Sequence, residues 1–519
     1  MESRNSFSIK IKSVAFHTTS RFTFFVIFTF NSIQFNTMLR FNLFFIFLGV
    51  SILSFSQNRR EEEESNSIVD KDFKVAYDLF EQKKYKEAYE AYSTFLNKKP
   101  KDVSALYNRG LCSYNLTDYK AGIRDFNESI YLGNKKTNTY YMRGLSRFCL
   151  DEYDNAIKDF DSSLTFDKSF YKAICYKGAS LYKQKNYRDA LVALNLAATI
   201  NPEYEPTFYY RAVSKYYIGE YKGALTDIDK AISLKNDLES HFWKGTMLIE
   251  LDKDKEAIRI YDSIITVKPT YANAYYNRGL AHYHLANYNA SIKDNNKCIE
   301  LDPSHRKAYY NRGLSNFYTL NYKGAETDFS SAIAMGLNDY KSYCFRGATY
   351  YYLKNEGSAL TDLNKSIELN PNYETSYYYR ANLKYSMADD KGCIEDCDKA
   401  IAIKKYYDTY YTRAIAKLQS KLYDAAIADF NEALALNSSH GKSLIERGIA
   451  YYFLEKDDLA RKDLDAGLLI NKEYSRGYYF RGKLKKFAND KVGCCEDLKK
   501  AKQYGHTKAD EELIKNGCN

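Results

Sequence analysis

The sequence has 519 residues, 52 tyrosines, only 6 prolines and a formal net charge of +10. The basic and acidic residues are interspersed, and no basic stripe or recognition motif accompanies them, which argues against nucleic-acid binding. The composition is typical of helical repeats rather than of disordered or disulfide-rich chains. We therefore expect a repeat array in place of the three or four globular domains that this length alone would suggest.

The N-terminal part of the chain contains a pattern typical of the cleavable signals of exported proteins. The segment from Met38 has a basic start at Arg40, an apolar run, and small residues at Ser54 and Ser56. This order predicts a secretory signal peptide over residues 38–56, cut after Ser56. An uncleaved membrane anchor is the alternative, although a run of about 15 apolar residues is short for a bilayer span.

The segments on either side of this signal peptide are interpreted as lying outside the folded array. We interpret residues 1–37 as a non-native upstream extension, with the true start at Met38. Residues 57–69 contain four consecutive glutamates and no apolar periodicity, which predicts a solvated acidic leader. The signal peptide predicts export to the periplasm, the outer envelope or the outside of the cell.

A single small residue recurs along the rest of the chain and sets its register. The spacing is 34 residues except for two steps of 33, and both deletions fall in the loop after a second helix, where they are tolerated. We number the repeats 1 to 13 by this residue and count other positions from it. The thirteen residues are Ala76, Gly110, Gly144, Gly178, Ala212, Gly245, Gly279, Gly313, Gly347, Ala381, Ala414, Gly448 and Gly482.

Each repeat contains two helical patterns, called here helix A and helix B. In repeat 7, helix A surrounds Gly279, Asn287 is an N-cap type of residue, and helix B is predicted from about Tyr288 to Leu301. Pro303 then prevents the helix from continuing. Where this proline is missing, a glycine can end helix B in the left-handed conformation, namely Gly133, Gly336 and Gly505.

These features resemble the tetratricopeptide repeat family. The similarity lies in the period of 34, the small residues at the family's eighth and twentieth places, a Tyr shortly before the twentieth, and Pro at the thirty-second. It covers about residues 70–505 and implies an all-α, right-handed α-solenoid of about thirteen antiparallel helix pairs with a concave groove. A C-terminal capping helix is expected over residues 506–519, with the helix itself from about Thr507 to Lys515. It resembles the closing helix of exported repeat proteins of the Bacteroidetes type.

An arginine commonly precedes the small residue, where the family often has Leu, and an aspartate follows 16 residues later. Repeats 4 and 6 have lysine instead, and they also lack the acid. This co-variation predicts an Arg–Asp contact between helix A and helix B of one repeat; a basic clamp for a ligand is the alternative. The pairs include Arg109–Asp125, Arg143–Asp159, Arg278–Asp294, Arg312–Asp328, Arg346–Asp362 and Arg380–Asp396.

Aromatic residues recur on one face of helix A, at positions −3 and +4. Because these positions are seven residues apart they share a helix face, which makes them candidates for partner binding; packing between neighbouring A helices is the alternative. The candidates at −3 are Tyr107, Tyr141, Tyr209, Phe242, Tyr276, Tyr310, Tyr378, Tyr411 and Tyr479. Those at +4 are Tyr114, Phe148, Tyr182, Tyr216, Tyr283, Phe317, Tyr351, Tyr385 and Tyr452.

The sequence points to a protein or peptide as the partner and to no cofactor, metal or catalytic centre. It contains no nucleophile motif, no phosphate-binding glycine loop and no HExxH. The Lys and Asn residues by which some family members bind chaperone carboxylates are also missing, which argues against a co-chaperone role. A membrane contact is expected only if the signal segment stays uncleaved, and the oligomeric state is left open.

The ten cysteines have no zinc-site spacing. Cys112, Cys149 and four others occupy positions that favour small or apolar residues, which predicts buried free thiols. Cys518 lies a short hairpin away from Cys494 and Cys495, so a Cys495–Cys518 disulfide is the expectation in an oxidising compartment. Free thiols are the alternative there.

Overall fold

The computed structural model describes residues 71–518. Within this part of the chain the regular structure consists of 27 α-helices without a strand, which confirms the all-α fold class. The predicted upstream extension (1–37), signal peptide (38–56) and acidic leader (57–69) lie outside the described residues.

The chain divides into two compact units, the first ending at Leu150 and the second beginning at Asp151. The described part of the first unit contains five helices: α1 (Lys71–Glu81), α2 (Tyr85–Lys98), α3 (Val103–Asn115), α4 (Tyr119–Tyr131) and α5 (Thr137–Cys149).

The second unit contains the remaining helices. They are α6 (Tyr153–Phe166), α7 (Tyr171–Lys183), α8 (Tyr187–Ile200), α9 (Glu205–Tyr217), α10 (Tyr221–Leu234), α11 (Leu238–Glu250), α12 (Asp254–Val267), α13 (Ala272–His284), α14 (Tyr288–Leu301), α15 (Arg306–Tyr318), α16 (Tyr322–Ala334), α17 (Tyr340–Tyr352), α18 (Glu356–Leu369), α19 (Glu374–Ser386), α20 (Asp390–Ile403), α21 (Tyr407–Gln419), α22 (Tyr423–Leu436), α23 (Gly441–Phe453), α24 (Asp457–Ile470), α25 (Ser475–Phe487), α26 (Lys491–Gln503) and α27 (Ala509–Lys515).

The odd-numbered helices up to α25 are A helices and the even-numbered ones are B helices. Within each unit every A helix packs on the B helix that follows it, and that B helix packs on the next A helix. Helices of this length are marginal alone in water, so each repeat depends on its neighbours for stability. Helix B of repeat 7 spans Tyr288–Leu301, as predicted.

The recurring small residues lie where the two helices of a pair cross. A methyl group on Gly245 would lie 2.7 Å from the ring of Tyr261 on α12, so the helix axes could not approach as closely with a larger residue. At +12 the facing helix also has small residues, and Ala257 and Ser291, for example, are fully buried. These two positions explain why the pattern repeats with so little variation in residue size.

Residues with a left-handed backbone conformation recur at two places in the loops. Gly133, Gly336 and Gly505 have positive φ after helix B, as predicted. The turn between helix A and helix B contains a second left-handed residue, at +7, in every repeat; it is Gly219 in repeat 5 and a non-glycine residue in the other twelve. Asn287 occupies the N-cap position of α14, but its side chain makes no capping hydrogen bond.

The C-terminal helix α27 begins at Ala509, two residues later than predicted, because Thr507 and Lys508 form a turn. Its buried Ala509 and Leu513 join the apolar cluster that also contains Leu498 of α26. The helix therefore covers the apolar face of the last B helix.

The structure joins Cys495 of α26 to Cys518 in a disulfide, with Cα atoms 5.3 Å apart. Most of the free thiols are buried, but Cys149 is exposed, so that part of the sequence interpretation is wrong. Cys149 is the last residue of α5, at the turn rather than on the packed face of the helix.

Candidate binding surface

An arginine of helix A and an aspartate of helix B are in contact in most repeats. In repeat 7, Arg278 Nε donates to Asp294 Oδ2 at 2.8 Å and Nη2 donates to Oδ1 at 2.6 Å. Inside the two units, as described over residues 71–518, nine such pairs form: Arg109–Asp125, Arg211–Asp227, Arg278–Asp294, Arg312–Asp328, Arg346–Asp362, Arg380–Asp396, Arg413–Asp429, Arg447–Asp463 and Arg481–Asp497. Arg143 lies in the first unit and Asp159 in the second, and that pair stays a prediction.

The same arginines also contact the preceding repeat, which the sequence analysis missed. Arg278 Nη1 donates to Asp262 of α12 at 2.6 Å, and Arg312 Nη1 donates to Asn296 of α14 at 2.6 Å. The acceptor stands at +17, and this position is Ser, Asn or Asp in repeats 1 to 12 but Lys499 in repeat 13, which has no repeat after it. That restriction to three residue types was the signal in the sequence.

The two lysine repeats use this second contact alone. Lys177 pairs with Asp161 at 2.6 Å and Lys244 pairs with Asp229 at 2.9 Å. These arginines and lysines are therefore held by carboxylates, amides or hydroxyls of the array itself. The geometry favours structural pairing over a basic ligand clamp.

The aromatic residues at −3 are held against the B helix of their own repeat. Tyr107 contacts Phe126, and Tyr310 contacts Phe329, with ring centroids 5.8 and 5.6 Å apart. Burial raises the pKa of Tyr107 to about 12, so its hydroxyl stays neutral at physiological pH. Tyr141 and Tyr479 are buried outright. The structure thus gives most of this row a packing role.

The aromatic residues at +4 contact the start of helix B and the next A helix. Phe317 is 5% exposed, and its ring lies 5.7 Å from Tyr322 and 5.8 Å from Phe345. It also contacts Tyr379, two repeats later, at 6.2 Å. Rings from alternate A helices therefore meet in this part of the second unit and fill the space between them.

The other members of the two predicted rows are half-buried, with part of each ring still accessible. They are Tyr114, Phe148, Tyr182, Tyr209, Tyr216, Phe242, Tyr276, Tyr283, Tyr351, Tyr378, Tyr385, Tyr411 and Tyr452. Their buried atoms pack within the array, and partner binding by their accessible atoms stays a prediction.

A third aromatic row, at +5, is more exposed than either predicted row. Its members are 42 to 64% exposed and include Tyr217, Tyr318, Tyr352, Phe453 and Phe487. Four of them stack nearly parallel on the aromatic residue at +9 of the preceding repeat: Tyr187–Tyr217, Tyr288–Tyr318, Tyr322–Tyr352 and Tyr423–Phe453, at 4.6 to 5.2 Å. We call the five residues at +5 the exposed aromatic row, namely Tyr217, Tyr318, Tyr352, Phe453 and Phe487.

The exposed aromatic row lies at the C-terminal ends of the A helices. In four of the five members the stacked partner fixes the orientation of the ring, so these rings present apolar area with little conformational freedom left to lose. Within the described residues we find neither a metal-binding cluster of His, Cys, Asp and Glu nor a helix with the length and hydropathy needed to span a bilayer.

Comparison with known proteins supports the repeat assignment. Family models described as tetratricopeptide repeat match residues 74–136, 272–305, 340–373 and 407–440. Hsc70-interacting protein 1 and Hsc70-interacting protein 2 of Drosophila melanogaster are each 28% identical over 93 residues, which is 18% of this chain and 25% of each relative. The chain thus spans a quarter of the length of these curated relatives.

Three solved structures show similarity over longer stretches. A chain of the APC/C hetero-tetramer Cut9-Hcn1 is 15% identical, with 79% of this chain and 95% of that chain covered and a TM-score of 0.48. Yeast Tom70 is 14% identical, with 82% and 95% covered and a TM-score of 0.35. A tetratricopeptide repeat protein from Parabacteroides merdae is 20% identical, with 45% and 93% covered and a TM-score of 0.37. From the family-model matches and the helix pairs together, we conclude that this chain contains tetratricopeptide repeats.

Proposed function

We propose that the chain is a non-catalytic scaffold that holds a protein or peptide along its A helices. The exposed aromatic row carries this proposal. Four of its rings are anchored by stacking yet 42 to 48% exposed, so they offer apolar area at low entropic cost, as protein-binding surfaces commonly do. A regulatory subunit of an enzyme would use the same surface and is the more remote alternative.

The test compares partner capture by wild type and by the Tyr318→Ser/Tyr352→Ser double variant. Tyr310, which packs on Phe329, and the buried Phe317 are unsuitable for this purpose, because their loss would disturb packing. The control is Val192→Ser/Leu196→Ser on α8, which removes exposed apolar area (71% and 51% exposed) from a B helix. We expect the control to capture the wild-type partners and the tyrosine variant to lose them. Equal capture by all three proteins would rule out the row as the binding surface.

We further propose that the scaffold works in the bacterial cell envelope or outside the cell. The apolar segment over residues 38–56 supports export, and the Cys495–Cys518 disulfide fits an oxidising compartment. A membrane-anchored assembly factor is the alternative if the segment is retained. N-terminal sequencing of the exported protein separates the two, since cleavage predicts a chain beginning at Gln57 and an anchor predicts an intact segment.

A further inference from the structure

The thirteen repeats can be compared position by position, and the last two carry charges that repeats 2 to 11 lack at the same positions. Position +1 of helix A is uncharged in repeats 1 to 12 but is Lys483 in repeat 13. Position −2 is uncharged in every repeat from 2 to 13 except repeat 12, where it is Glu446. Because the packing problem is the same in each repeat, packing alone does not explain these charges.

Glu446 is fully buried within the second unit, and its carboxylate is bound by the following repeat. Tyr474 donates its hydroxyl to Glu446 Oε1 at 2.9 Å, and Arg476 Nη1 lies 2.9 Å from Oε2. Burial raises the pKa of Glu446, and the neighbouring Arg476 and Tyr474 oppose that rise. An isolated buried carboxylate would be costly, so Arg476 is needed to balance it.

Arg476 differs from the arginines at −1 in how its guanidinium is used. Those arginines typically contact acceptors in two B helices, whereas Glu446 is the single ion-pair partner that residues 71–518 give Arg476. Its side chain is 36% exposed, and it lies over the ring of Phe480 at 5.8 Å. Of the five N–H groups of a guanidinium, most are thus left for another acceptor.

Lys483 lies on the same face of α25 and has no carboxylate partner among the described residues. Its ammonium lies 5.6 Å from the ring centroids of both Tyr452 and Tyr479. Tyr479 stacks in turn on His506, with centroids 4.0 Å apart. The aromatic rings therefore hold Lys483 in place without neutralising its charge.

The two cations are spaced for an extended acidic chain. Arg476 and Lys483 are seven residues apart, which corresponds to about 10 Å along a helix. In a polyproline II type of extended peptide, with three residues per turn and a rise of about 3.1 Å, side chains three residues apart lie on one side at about 9 Å, close to the same distance. The site also continues the exposed aromatic row, because Phe487 is the last residue of α25.

We propose that the α25 face is the site at which a protein partner places an acidic segment, with one carboxylate on Arg476 and another on Lys483. This inference rests on the proposed function and specifies the partner's chemistry. Apolar side chains of the same segment lie on Phe453 and Phe487, and Glu446 orients the Arg476 guanidinium toward the partner.

The test uses a fluorescein-labelled peptide with two glutamates three residues apart, flanked by leucines, and its matched glutamine peptide. Fluorescence anisotropy gives Kd for both at low and physiological salt. We expect the glutamine peptide to bind wild type about fivefold more weakly, as expected for exposed ion pairs, with the difference shrinking as salt rises.

Two variants locate the effect on the protein. Lys483→Gln removes an exposed charge and should weaken the glutamate peptide about fivefold while leaving the glutamine peptide unchanged. Glu446→Gln with Arg476→Gln removes the buried carboxylate together with the cation that balances it, and it should have a similar effect. Lys307→Gln is the control, since it removes an exposed lysine from helix A of repeat 8 at the same position as Arg476.

The outcomes separate this inference from the proposed function. Equal binding of both peptides by wild type, lost in Tyr318→Ser/Tyr352→Ser, overturns the acidic site and keeps the scaffold. Failure of the glutamate peptide to bind, or an equal effect of Lys307→Gln, also overturns the site. If Lys483→Gln instead reduces binding to anionic vesicles or single-stranded RNA and not to the glutamate peptide, the partner class is wrong.

Discussion

Arg278 and Asp294 form a two-point contact across one helix pair, and the same guanidinium reaches Asp262 of the preceding repeat. Asp294 is 4% exposed, so its charge depends on this partner. We predict that Arg278→Leu lowers the free energy of unfolding by about 3 kcal/mol, since it leaves a buried carboxylate unpaired. Hydrogen exchange of α13 and α14 measures the loss locally.

Repeat 4 supplies a matched control for this change. It carries Lys177 at −1 and Ala193 in place of the acid. Arg278→Lys combined with Asp294→Ala copies that arrangement, with Asp262 in the place of Asp161. We expect this double variant to cost clearly less than Arg278→Leu alone. Equal losses would show that the guanidinium acts through its packing and not through its charge.

Gly219 and Gly357 test the left-handed turn between the helices of a repeat. A methyl group added at either glycine meets no atom within 4 Å, but Gly219 has a φ of +83° whereas Gly357 lies in the first turn of α18. We predict that Gly219→Ala destabilises by about 1 kcal/mol and that Gly357→Ala stabilises by about 0.5 to 1 kcal/mol. Thermal unfolding of the two variants should shift in opposite directions, and a shift in the same direction would contradict the conformational explanation.

Asn295 occupies core position +16. The other twelve repeats have an aromatic, aliphatic or cysteine residue there, as at Leu194 and Phe329. Its Oδ1 is buried without a hydrogen-bond partner, and both polar side-chain atoms of Asn311 on α15 are in the same state. We predict that Asn295→Leu raises the free energy of unfolding by about 1 kcal/mol, because it removes an unsatisfied buried group. Urea unfolding checks this, with Asn289→Leu on the exposed face of α14 as the control; a fall in stability would show that the amide is needed.

The disulfide should hold the C-terminal helix in place. It closes a loop of 23 residues, so its loss should cost up to about 3 kcal/mol. We predict that the double variant Cys495→Ser/Cys518→Ser exchanges the amides of α26 and α27 faster and leaves α23 and earlier helices unchanged. Reductant should reproduce this pattern in wild type and do nothing further to the variant. Unchanged exchange in α27 would show that Ala509 and Leu513 suffice to hold it.

Three histidines should make the array less stable in mild acid. Burial lowers the pKa of His305, His440 and His506 below the ordinary value of 6.5. The unfolded chain therefore takes up protons first, and the free energy of unfolding falls as the pH drops below about 6.5. The charged neighbours that also act on them are Asp302, Lys307, Asp408, Lys442, Arg476 and Lys508.

This pH dependence is measured as the Tm at pH 7.5 and pH 5.5. We expect a fall in wild type and a smaller fall in the triple variant His305→Gln/His440→Gln/His506→Gln. The same fall in both proteins would place the titrating groups elsewhere.

The repeat pattern predicted which helix faces are packed but not how deep each side chain lies. Tyr310 and Tyr352 both belong to A helices, but only Tyr310 lies in a row that the sequence marked as a candidate surface. Tyr310 is half-buried against the ring of Phe329, whereas Tyr352 is 42% exposed. Depth depends on how alternate A helices approach each other, as at Phe317 and Tyr379, and nothing within one repeat specifies that approach.

Contacts between successive repeats were the second gap. Asp294 was found from the sequence because it co-varies with Arg278 inside one repeat. The acceptor at +17 belongs to the preceding repeat. It can be Ser, Asn or Asp, so it does not appear and disappear together with the arginine as Asp294 does, and only its restriction to these three residue types marks it in the sequence. Glu446 and Lys483 can be recognised only after the repeats are aligned, because they are charged at positions that are uncharged in repeats 2 to 11.

The guanidinium that spans two repeats has a consequence for how such a gene can change length. Removing or duplicating whole units of 34 residues leaves each new junction with an arginine facing Ser, Asn or Asp, so unequal recombination at this period creates no orphaned charge. Lys177 and Lys244 are less exchangeable, because each is paired with an aspartate, Asp161 or Asp229, in the unit before it. Those two units would have to be inherited together with their predecessors.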